Sequence, residues 1–163
     1  MRLTPTLNEA VNDTGRTAYC GPMVISAITG YSVSKVEQAI RAGRDSEAAA
    51  HRLIVGTTAE DVAAALAIFG YEMERQAGYE HLERKERPTV WTWMQRPRSA
   101  FSYYVLAVSV GKDGHWICIK GAKIIDTYTE GKWIFAADGP HRGARMMGVY
   151  RVKKSLDGMI VPA

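Results

Sequence analysis

The strongest constraint on the fold is a change of period along the chain. In the first 70 residues, apolar side chains recur at helical spacing and glycines supply the stops. Met23, Val24, Ala27 and Ile28 share one face from about Cys20 to Thr29, and Gly30 ends the run. Pro22 falls in the first turn, where a missing N–H costs nothing. Ser34 to Arg41 reads as a second, shorter helix ending near Gly43. Residues 44–56, with the run Ala48-Ala49-Ala50, are compatible with more than one state. Thr58-Ala59-Glu60-Asp61 has the form of a capped helix start, with an acid three residues after the cap. It leads into Val62, Leu66 and Phe69 on one face, before Gly70.

After that the pattern changes. Glu72 to Gln76 suits a short strand and Thr89 to Gln95 a short helix limited by Pro97. Tyr103 to Val110 is dense in aromatic and β-branched residues, and Gly111-Lys112-Asp113-Gly114 is a turn. His115 to Lys120 and Lys123 to Thr127 are two further strands about Gly121-Ala122. Lys132 to Ala136 and Met146 to Val152 are candidate strands, separated by Gly139-Pro140. Helices first and an antiparallel sheet later predict an α+β domain. With 163 residues, 47% hydrophobic and no repeat or linker, one domain spanning 1–163 is expected.

The function classes narrow quickly. The net charge is +4, but the best basic cluster, Arg84-Lys85-Glu86-Arg87, is diluted by its Glu and lacks interleaved aromatics, so nucleic acid is a distant second reading to solvated surface. Two cysteines, Cys20 and Cys118, are too few for a stapled secreted scaffold. No stretch has the length of a membrane span, and residues 1–10 hold no signal-peptide core. A reducing cytoplasm is the expected compartment, with release by lysis or packaging in a larger particle left open. Two Cys and four scattered His make no zinc spacing, and no phosphate- or dinucleotide-binding glycine signature is present. No metal or organic cofactor is expected.

The chemistry gathers on three residues. Cys20 lies in the first turn of a predicted helix, where unpaired N–H groups and the helix dipole favour a thiolate. Gly21 beside it has no side chain to block a substrate. His115 follows Gly114 at a turn-to-strand boundary and has the reach of a general base if its face of the sheet meets the helix. Alternation groups His115 with Ile117 and Ile119, and Trp116 with Cys118 and Lys120. Asp126 ends Ile124-Ile125-Asp126-Thr127 on the adjoining hairpin strand, where a carboxylate can orient the imidazole. Asp138 is the alternative partner, and Asp113 stands too close in sequence. His51, His81 and His141 read as structural or surface residues. Each of the three chosen residues also has a plain structural reading: a small buried hydrophobe, an ordinary histidine, a strand-ending aspartate. Trp91, Trp93 and Trp116 are core aromatics or cleft walls.

The runs Tyr19-Cys20-Gly21-Pro22, Gly114-His115-Trp116-Ile117, Gly121 and Ile125-Asp126-Thr127 resemble the papain-like cysteine peptidase superfamily. The nearest branch is the double-glycine-leader peptidase type with its small phage- and plasmid-encoded relatives, over residues 12–128. The resemblance implies a papain-like fold, with N-terminal helices on a C-terminal antiparallel sheet. It implies Cys20 as nucleophile, His115 as general base and acid, Asp126 as orienting residue, and Gly21 and Trp116 along a substrate cleft. A peptide or protein substrate follows, cut at a peptide or isopeptide bond, with a preference for a small-residue site such as Gly-Gly. For a phage-encoded protein the compartment is the host cytoplasm or the virion. One departure stands out. The family carries an upstream Gln whose amide helps form the oxyanion hole, and Thr14 holds that position here. The candidates for oxyanion donor are the Cys20 backbone N–H and Asn12 and, more weakly, a hydroxyl from Thr14 or Thr17. The departure also motivates a rival reading, a binding or structural module on the same fold with weak or lost chemistry. Acyl transfer or hydrolysis of a peptidoglycan amide is a third.

Overall fold

The computed structural model describes residues 7–15, 20–44, 54 and 56–155. Among the described residues, three helices come first. Helix α1 (Cys20–Thr29) buries every residue from Gly21 to Ile28, as a helix that is apolar on all sides must. Gly30, at φ 79°, turns the chain out of it. Helix α2 (Val33–Ala42) starts at Ser32, whose side chain accepts from the Lys35 N–H, and buries the stripe Val33, Val36, Ala39 and Ile40. Helix α3 (Ala59–Ile68) opens with the capping box expected from the sequence: Thr58 Oγ1 accepts from the Asp61 N–H, and the Asp61 carboxylate accepts from the Thr58 N–H. Arg44 clasps the same carboxylate at 3.3 Å.

Six strands follow: β1 (Tyr71–Gly78), β2 (Tyr103–Val110), β3 (Asp113–Lys120), β4 (Lys123–Ile125), β5 (Ile134–Phe135) and β6 (Arg145–Lys154). They form one antiparallel sheet in the order β1-β6-β2-β3-β4-β5. A short helix, α4 (Val90–Met94), lies between β1 and β2 in sequence, capped by Thr89. The chain is therefore α+β, with N-terminal helices against an antiparallel sheet.

The sheet is covered on both faces. Val105, Trp116, Cys118, Ile125 and Val152 pack with α1, α2 and α3 in one core. Leu106, Ile117, Ile119, Met146 and Val149 pack with Val90, Trp93 and Met94 of α4 in the other. The alternation expected along β3 is present, but its assignment to a layer is corrected. Trp116 and Cys118 face the long helices, while Ile117 and Ile119 face α4. His115 has the phase of the second set, so a residue on α1 meets it around the strand edge rather than over the face. The length of β4 leaves room for this. Its pairing with β3 ends at Cys118↔Ile125, leaving the start of β3 open on that side.

Candidate functional site

His115 and Asp126 meet at that opening, and the Cys20 thiol at the start of α1 feels the same imidazole electrostatically. Asp126 is fully buried and begins the single turn Thr127–Thr129 that follows β4. Its Oδ1 accepts from the Thr129 N–H at 2.9 Å, and Thr129 Oγ1 in turn accepts from the Asp126 N–H. The other oxygen, Oδ2, lies 2.9 Å from His115 Nε2. The carboxylate is thus held from its own loop and aimed at the imidazole. Asp113 and Asp138 are both exposed.

The loop is tied to α1 as well. Gly131 N–H donates to the Asp126 carbonyl, and Gly131 O accepts from the Ala10 N–H. A Cβ at Gly131 would stand 3.2 Å from Met23 Sδ and 3.1 Å from Ala10 Cβ, at a φ of 71° that already favours glycine. The backbone here approaches α1 as closely as a chain without a side chain allows.

Cys20 is partly exposed, Cys118 is buried, and both are free thiols. Burial raises the Cys20 pKa, but the His115 side chain, the Trp116 backbone N–H and the Gly21 N–H outweigh it and hold the thiol below its ordinary value. Burial alone acts on Cys118 with little opposition and pushes it well up. For His115, burial disfavours the cation, yet the hydrogen bonds to Asp126 and Cys20 dominate and push the imidazole up to about 9. The two shifts have opposite sign and a shared cause, since each charged form stabilises the other. With Nε2 engaged by Asp126, Nδ1 is the ring atom left for the thiol.

A third group, His141, lies beside the pair. Ligating atoms of His115, Asp126 and His141 all lie within 4.8 Å of one another, and Cys20 is not part of that tight group. The His141 ring is 5.4 Å from His115 and 4.3 Å from Tyr128, both edge-on. Its Nε2 is buried without a hydrogen-bond partner. Burial, with His115 nearby, lowers its pKa against the pull of Asp126. Sequence reasoning set His141 aside because nothing but a Gly-Pro turn marks it. His81 is exposed on a turn, and His51 lies outside the described residues.

The remaining residues singled out from sequence fall as follows. Gly21 is buried, and the space for its Cβ is taken by Thr57, whose Oγ1 would be 2.0 Å away. Its lack of a side chain thus has a packing reason, whereas clear substrate approach was the expectation. Trp116 is 8% exposed, packs in the helix-side core and donates from Nε1 to Thr57 O at 3.1 Å. Trp93 is buried against Tyr104, and Trp91 is 41% exposed on a separate groove with Phe135. Asn12 is exposed, and its Oδ1 accepts from both the N–H and the hydroxyl of Thr14, an Asx-type turn made through the amide oxygen. Thr17 lies outside the described residues. Arg84 and Arg87 spend guanidinium donors on the carbonyls of Gly111, Leu82 and Glu80, and Lys85 pairs with Glu83. No helix among the described residues is long and apolar enough to cross a membrane.

In comparison with known proteins, no family model matches the chain, and no curated protein matches it.

Proposed function

We propose that this protein is a papain-like thiol hydrolase acting on a peptide or isopeptide bond. The observation that carries the reading is the buried 2.9 Å contact between His115 Nε2 and Asp126 Oδ2, with the Cys20 thiol at the start of α1 beside the same imidazole. In the proposed cycle the Cys20 thiolate attacks the carbonyl carbon, and the C–N bond breaks as imidazolium His115 gives its proton to the leaving amine. The resulting thioester is hydrolysed by a water whose proton returns to His115, and the thiol leaves. Asp126 fixes the tautomer and supports the imidazolium charge. The Cys20 N–H, at the start of α1, is the candidate for the oxyanion role. Resemblance to the double-glycine-leader peptidases and their phage-encoded relatives favours a small-residue cleavage site and a protein substrate.

The rival reading, a papain-fold binding module of a virion or a host-directed protein, is favoured by one observation: the family's Gln is absent, and Thr14 stands in its place. Losing one oxyanion donor costs about 10²–10³ in rate. The two readings separate on the pH dependence of iodoacetamide alkylation. In a thiol hydrolase Cys20 reacts well below pH 8.5, Cys118 stays inert in the folded protein, and His115→Ala returns Cys20 to ordinary thiol behaviour. A Cys20 that titrates like a free thiol, or one indifferent to His115, overturns the hydrolase.

A further inference from the structure

We propose that His115, Asp126 and His141 form a binding site for a zinc-like divalent ion. Two imidazoles and one carboxylate are a donor set that zinc takes readily, with a fourth position left open. The three residues come from different segments: the start of β3, the turn after β4, and the turn before β6. Their ligating atoms lie within 4.8 Å of one another. Metal–ligand bonds of about 2.1 Å in tetrahedral array place donor atoms about 3.4 Å apart. The 2.9 Å His115–Asp126 contact therefore has to open only slightly, and His141 has to close by side-chain rotation.

Two further features belong to such a site. His141 Nε2 is buried with no hydrogen-bond partner, an uncommitted nitrogen on the third residue. Asp126 Oδ1 is already held by the Thr129 N–H, the kind of outer contact that orients a ligating carboxylate.

Binding is tested apart from the thiol, in full-length Cys20→Ala protein, by calorimetry with Zn²⁺ and by the visible absorption of Co²⁺. One ion per chain is expected. His141→Ala and His141→Gln each weaken it by more than about 100-fold, since losing even an outer partner costs about 10–100-fold. The control His81→Ala leaves it unchanged. No binding to the folded protein, or binding that survives both His141 variants, overturns the site.

Discussion

At the scale of single residues, Asp126 does two jobs with two oxygens. One caps its own turn through Thr129, and the other meets His115. The first job persists in Asp126→Asn, because an amide oxygen can still accept from the Thr129 N–H. The second inverts. The amide nitrogen then faces His115 Nε2 and donates to it, which forces the ring proton onto Nδ1, the wrong side for accepting from Cys20. Loss of the carboxylate charge also lets the imidazole pKa fall back. The variant is expected to fold, with a stability loss of about 1–3 kcal/mol, while alkylation of Cys20 near pH 6.5 slows about tenfold for every unit its thiol pKa rises. Stopped alkylation time courses across pH measure it. A variant as reactive as the parent would remove Asp126 from the site. Cys20, His115 and Asp126 could be picked from sequence because each has a local mark: a helix start, a turn-to-strand boundary, a strand end. His141 could not. Its proximity to His115 depends on the path of the chain from β5 to β6, and no local pattern encodes that path.

At the scale of elements, the helices were readable to within a residue or two, because their signals are local. Pro22 and Gly30 bracket α1, and Thr58 with Asp61 starts α3. Strand order was hidden. β6, the final strand, inserts between β1 and β2, and pairing of such distant segments leaves no trace in either one alone. The layer that each face of β3 meets was hidden for the same reason. Thr57 belongs here too: it lies in a stretch with no clear periodicity, yet it fills the notch at Gly21 and takes the Trp116 indole N–H on its carbonyl. Gly21→Ala places a Cβ 2.0 Å from Thr57 Oγ1 in a buried setting. The expected cost is about 1–3 kcal/mol of overpacking strain. Thr57→Ala removes the closest atom and should recover part of it in the double variant, giving a favourable coupling in a double-mutant cycle. Urea unfolding of the four proteins reads it. Additive losses would mean that Gly21 and Thr57 do not share the space.

At the scale of the whole molecule, the site makes stability depend on pH in a direction fixed by the shifts. His115 is raised from 6.5 to about 9, so the folded chain holds that proton more tightly than the unfolded chain does. Its contribution is full below about pH 6.5, erodes as pH rises, and is gone once pH passes about 9. The neighbouring groups modify this with their own signs. Cys20, held low, contributes above its unfolded value and loses that contribution as pH falls through its depressed folded pKa. His141, lowered chiefly by burial, is held neutral and costs stability only where the unfolded chain would protonate it, on the acid side. Across the same window the Cys20 contribution grows, so the two oppose each other in the unsubstituted protein, and the His115 limb is read in a Cys20→Ala background. There the difference in unfolding free energy between Cys20→Ala and the Cys20→Ala, His115→Gln double variant should be largest near pH 6.5 and should narrow as pH rises toward 9. Urea unfolding at fixed temperature across that range measures it, and the raised Cys118 thiol adds its own loss only above its ordinary value of 9, in both proteins alike. A difference that stays flat, or grows as pH rises, would mean that His115 carries no proton in the folded protein across this range, and that its contact with Asp126 is one between a neutral ring and a carboxylate.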